Sequence, residues 1–191
     1  MAEEIKNLVN AILAKPVQII DAEKSQYRFD HSLKLVRTQI NSYAGLYERV
    51  RQQMRPGDER TNRMQEIFDK MKRLSFAAYP FLDELVKSPS PGERLTALAI
   101  LHEFINEDYF DYITSLIGSE KPFIGYQAVK ALQIAASSIN PRSYEKLKTA
   151  IQLAKDQLDL AEAGSDSGRR IILANAEKEL QRNIEVFASY L

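Results

Sequence analysis

Apolar side chains recur along this chain at steps of three and four residues, the spacing that gathers them on one face of an α-helix. The most regular stripe is Phe29, Leu33, Val36, Ile40, Tyr43, Tyr47, Val50 and Met54, which alternates the two steps as a heptad seam does. It predicts one long helix, with Asp21 or Ser25 as its cap. The helix stops at Arg55-Pro56-Gly57-Asp58, where Gly57 lies past its end and Asp58 caps the next helix. Tyr43 and Tyr47 in mid-seam suit packing on the chain's own body; the alternative use of such a seam is a homodimer. Upstream, Ile5, Leu8, Val9, Ile12 and Leu13 predict a short amphipathic helix that Pro16 ends.

Beyond Asp58 the pattern falls into helix pairs. Met64, Ile67, Phe68, Met71 and Leu74 form one stripe, and Pro80 starts or kinks a second helix carrying Leu82, Leu85 and Val86. Ser88 to Gly92 is a loop in which Ser88 or Ser90 caps a helix from Pro91 to Phe104. Its partner, 107–117, buries Phe110, Ile113, Leu116 and Ile117 and is stopped by Gly118. The cycle returns with helix 122–136, a turn at 137–140, and helix 141–161 burying Tyr144, Leu147, Ile151, Ala154 and Leu158. Pro91 to Leu101 is echoed 31 positions later by Pro122 to Leu132. Pro, Ala and Leu match at 91/122, 97/128 and 101/132, and large apolar groups match at 95/126 and 98/129. The fold expected is all-α: one domain, 1–191, built as a right-handed stack of antiparallel helix pairs. Within it 1–56 holds the N-terminal helices, 58–161 three helix-pair repeats, 162–168 a linker, and 169–191 a terminal helix. Leu173, Ala176, Leu180, Ile184, Phe187 and Leu191 give that last helix a stripe suited to capping the final pair.

The pairs near 58–87, 91–117 and 122–161 begin at Pro-Gly or Pro motifs, and this pattern resembles a HEAT- or armadillo-type α-solenoid. A narrower resemblance rests on Tyr47-Glu-Arg-Val-Arg51, Glu59-Arg60-Thr61, Gly92-Glu-Arg-Leu95 and Pro122-Phe-Ile-Gly125-Tyr126. These are similar to helical modules found beside TIR-type and caspase-like effector domains in bacterial signalling and conflict proteins. Both resemblances imply a protein-interaction, scaffold or sensing role without chemistry.

Composition narrows the alternatives. Apolar content of 45% with 27% charge is that of a globular chain, and 7 Gly and 7 Pro interrupt few helices. The absence of cysteine removes disulfides, thiolate metal sites and cysteine nucleophiles. No apolar run approaches the roughly 20 residues of a membrane span, and Met-Ala-Glu-Glu is acidic where a secretory signal is basic, so the protein is expected to be cytoplasmic. Charge sums to zero but is uneven: residues 48–82 carry +3 and residues 83–120 carry −6. The basic excess is too small for a nucleic-acid face, and the acidic block suits a solvated helix surface.

Candidate chemistry is sparse. His31 and His102 have Arg28 and Ala99 three places before them, so Glu-x-x-His is absent, and His102-Glu-Phe-Ile-Asn106 is no zincin motif. Glu107, Asp108 and Asp111 open a helix, where the dipole accounts for them. No calcium loop or phosphate-cradling glycine loop is present. No catalytic residue, metal or cofactor is expected, and an enzyme or small-molecule sensor is the least favoured reading. The charged runs Glu48-Arg49-Val50-Arg51 and Asp58-Glu59-Arg60 flank the Pro56-Gly57 break and would pair across two antiparallel helices, with Arg51 or Arg60 in a half-buried ion pair; the other use of the same guanidinium groups is to bind an anion or partner. Tyr126, with Phe123 and Gly125, would pack on the previous layer or line a small aromatic pocket. Asp111, Thr114, Lys148 and Gln152 would line a groove along the second helices that takes a protein partner. The function expected is a non-catalytic interaction module, monomeric, or homodimeric through the 29–54 seam or the C-terminal helix.

Overall fold

The computed structural model describes residues 22–160 and 167–190. The expected helix at 2–14, the cap at Asp21, linker residues 162–166 and Leu191 lie outside the described residues, as do the side chains of Ser25 and Phe29. The chain divides into two units, residues 1–35 and 36–191; the described part of the first is helical. Among the described residues all regular structure is helical.

The long helix α1 runs Ala22–Gln53 and α2 runs Asp58–Ala78. A 3-10 turn Tyr79–Phe81 leads into the single-turn α3, Leu82–Leu85. Then come α4 Pro91–Glu103, α5 Phe110–Ser119, α6 Pro122–Ser138, α7 Tyr144–Leu160 and α8 Ser167–Ala188. Short 3-10 turns, Glu107–Tyr109 and Pro141–Ser143, lead into α5 and α7. The break before α2 is made by Gly57, which takes the cap position at φ 153°, a backbone region open mainly to glycine; Asp58 is the first helical residue, not the cap. Ser90 caps α4 by accepting from the Glu93 N–H at 3.2 Å. Gly118 does not stop α5, which continues to Ser119; Lys121 and Pro122 begin the next helix.

Two layers result. In one, α4 packs between α2 and α6, and α6 between α4 and α8; in the other, α5 packs on α7. Ala97, Leu98 and Leu101 of α4, and Ala128, Val129 and Leu132 of α6, all lie in the core. Alanine at 97 and 128 keeps the layers close, and each buried Leu adds roughly 1.5–3 kcal/mol. The echo fails at one place: Leu95 is fully buried but its counterpart Tyr126 is 41% exposed. Along α1 the seam is covered by this same chain from Ile40 to Val50, with Ala44 and Tyr47 buried between them.

Candidate functional site

The N-terminal ends of α4 and α6 meet α1 crossing over them. At the first crossing Gly92 lies so close that a Cβ there would stand 2.4 Å from the Ala44 carbonyl oxygen. Glu48, one turn on, accepts the Gly92 N–H at 3.2 Å and the Ser90 hydroxyl. At the second crossing the Tyr47 ring lies 6.0 Å from that of Phe123, which in turn stands edge-on to Phe68 of α2. Glycine occupies position 92 and phenylalanine the matching position 123, so α1 touches one helix backbone to backbone and the other through two tilted rings.

The space beside these crossings is an open cavity of about 480 Å³. Arg51 and Arg60 line it from α1 and α2, Met64 and Phe123 lie among its apolar residues, and Gln65 and Tyr126 complete the wall. A neighbouring recess of about 270 Å³ shares Arg51 and adds Tyr47, Glu48, Lys121 and Ile124. The expected ion pair across the Pro56-Gly57 break is not formed: among the described residues neither Arg51 nor Arg60 pairs with a carboxylate. The nearby acids are committed elsewhere, Glu48 to the α4 cap and Glu120 to Arg94. Arg60 reaches only the Met54 carbonyl, at 3.5 Å, and its Nε is buried without an acceptor. The Tyr47 hydroxyl is likewise buried without a partner; burial raises its pKa, and Arg51 beside it pulls the other way.

The remaining candidates are scattered. Thr114 is buried and its hydroxyl donates to the Asp111 carbonyl at 2.9 Å, so it faces no groove. Asp111 itself is exposed on the first turn of α5. Gln152 is exposed and donates to Asp156 at 2.9 Å. Lys148 lines a cavity of about 80 Å³ with Glu177, Leu180 and Gln181 of α8. The groove expected along the second helices is not assembled from these four, because α7 turns Lys148 toward α8.

His31 is exposed, while His102 is buried with Nε2 donating to the Gln127 carbonyl at 2.7 Å and its ring edge-on to Phe68. Burial lowers its pKa to about 4. Among the described residues no three His, Asp or Glu side chains gather where they could hold a metal ion, and no helix is long and apolar enough to cross a membrane.

The family model of HEAT repeats matches residues 79–165. No curated protein and no solved structure matches the chain. The HEAT-like stretch takes in α3 to α7 and contributes Phe123 and Tyr126 to the cavity, whereas Arg51 and Arg60 precede it. Sequence reasoning singled out Arg51, Arg60 and Tyr126 separately and placed Phe123 beside Tyr126. It missed the Tyr47 hydroxyl, counted only as seam, and Lys121.

Proposed function

We propose that this chain is a non-catalytic protein-interaction module whose partner docks at the cavity between α1, α2 and α6. One observation carries the reading: two arginines without carboxylate partners and a half-exposed tyrosine surround an open, apolar-floored space. The HEAT-like helices support it, since stacked helical arrays present extended binding surfaces. None of the three cavities described brings two carboxylates together, which favours binding over acid–base chemistry. The likeness of Tyr47–Arg51 and Pro122–Tyr126 to modules beside effector domains makes a signalling protein the partner of choice, in the cytoplasm. A photo-cross-linking amino acid at Tyr126, expressed in the native host, should give an adduct that Arg51→Glu abolishes. Equal adducts from the same probe at Lys148 would refute docking at the cavity. A second reading, a homodimer through α8, is favoured by the exposed Ile171, Val186 and Phe187. Light scattering at micromolar concentration separates the two, a monomer removing the dimer.

A further inference from the structure

Resting on that docking site, we infer the chemistry of its occupant: an acidic side chain of the partner, with a large apolar side chain next to it. The carboxylate sits between Arg51 and Arg60, and the apolar neighbour lies against Met64 and Phe123.

The argument is a donor–acceptor inventory. Arg51 and Arg60 present guanidinium groups that no carboxylate engages, and the Arg60 Nε is buried without an acceptor. Tyr47, fully buried as a residue, lines the adjoining recess with a hydroxyl that has no partner. Lys121, also in that recess, stands at the start of α6, and no side chain caps that helix. Every one of these groups is a donor or a cation. Of the acceptors nearby, one Glu48 carboxylate oxygen takes Ser90 and Gly92, one Glu120 oxygen takes Arg94, and the Gln65 side-chain oxygen takes Gln127 at 3.0 Å. Two guanidinium groups that line an open cavity and engage no carboxylate call for a negatively charged acceptor.

The rest of the cavity decides what carries that charge. Met64, Pro122, Phe123 and Tyr126 make much of the lining apolar, and about 480 Å³ is room for a large side chain beside the carboxylate. An inorganic anion would fill the charged end and leave this apolar surface wet. An acidic residue adjacent to an aromatic or long aliphatic one covers both. The +3 balance of residues 48–82 draws such a segment in.

The test pans a displayed library of random twelve-residue peptides against the intact chain. Bound peptides should carry Asp or Glu next to Phe, Tyr, Leu or Met. A synthetic representative should lose at least tenfold in affinity when its acid is replaced by the amide, and as much against Arg51→Gln or Arg60→Met. Lys121→Gln, a change at an exposed position, should weaken it several-fold and guards against a variant that fails to fold, as does the helical circular dichroism of each. Binders that Tyr126→Arg eliminates but that carry no acid would overturn the carboxylate inference and leave the docking site standing. Binders indifferent to Tyr126→Arg, or no binders, would overturn both. Inorganic phosphate shifting the Arg60 Nε resonance where acidic peptides do not would mark a small-anion site and also end the proposal.

Discussion

His102 shows what burial does to a single titratable group. Its ring is 8% exposed, and its one strong partner is a carbonyl that accepts from the neutral imidazole. The folded pKa of about 4 lies below the unfolded value near 6.5, so between those pH values the unfolded chain binds a proton that the folded chain refuses. Stability is therefore complete above about pH 6.5 and falls as pH drops toward 4. At about 1.4 kcal/mol per pH unit the loss is on the order of 3 kcal/mol. Urea unfolding followed by circular dichroism from pH 4 to 7 should show that slope, and His102→Gln, which keeps a donor for Gln127, should remove most of it. Gly92 is a second residue-scale case, since a methyl group there meets the Ala44 backbone, which cannot turn aside. Gly92→Ala should cost about 1–3 kcal/mol by overpacking, read as a lower urea midpoint. Gly57→Ala meets nothing within 4 Å and is penalised through its backbone angle alone. The Gly92 contact could not be read from one sequence: Pro-Gly and Pro-Phe look like variants of one helix start, and only the crossing helix gives them different neighbours.

Among the elements, the helix starts and the core stripes were legible because local rules set them: Ser90 caps where a serine before Pro-Gly should, and Leu98, Leu101, Leu147 and Ile151 are buried where the period puts them. What misled was the assumption that matched positions do matched work. Arg94 in α4 donates to the Ser88 carbonyl at 2.7 Å, in the loop that follows α3. The equivalent position in α6 is Gly125, and the guanidinium there comes from Arg169 of α8, which donates to the Ile117 carbonyl at 2.9 Å and lies where a Cβ on Gly125 would go. The terminal helix thus takes the next place in the α4–α6 layer, burying Leu173, Ala176 and Leu180. Arg169→Met should lower stability by roughly 1.5–3 kcal/mol, the usual scale for a hydrogen bond to a charged group. Amide exchange should quicken first in α8. An unchanged exchange pattern there would mean that the helix is held by its apolar stripe alone.

At the scale of the molecule, the all-α stack was legible and the cavity only in fragments. Helix pairs follow from a period within one stretch of chain, whereas the cavity joins residues 51 and 60–65 of α1 and α2 to residues 122–126 of α6, more than 55 positions further on. Arg51 and Arg60 drew notice as charges near a break, yet their lack of partners depends on Glu48 and Glu120 being occupied from α4, which no local pattern encodes. The same separation governs how residues 36–191 should unfold. Each layer meets mainly its neighbours, and α3 is a single turn that could not close a pair alone. Arrays of this kind gain stability from the interfaces between units, so a short one should melt as a whole. Met71, fully buried in α2, and Leu147, fully buried in α7, lie near opposite ends of it. Met71→Ala and Leu147→Ala should each cost about 2–5 kcal/mol and lower the urea midpoint of the entire helical signal in one step. Hydrogen exchange near the midpoint should then release residues 60–75 and 145–158 together. If Leu147→Ala frees α7 and α8 while 60–75 stays protected, the pairs fold as separate blocks, and the cavity at α1, α2 and α6 belongs to the more stable one.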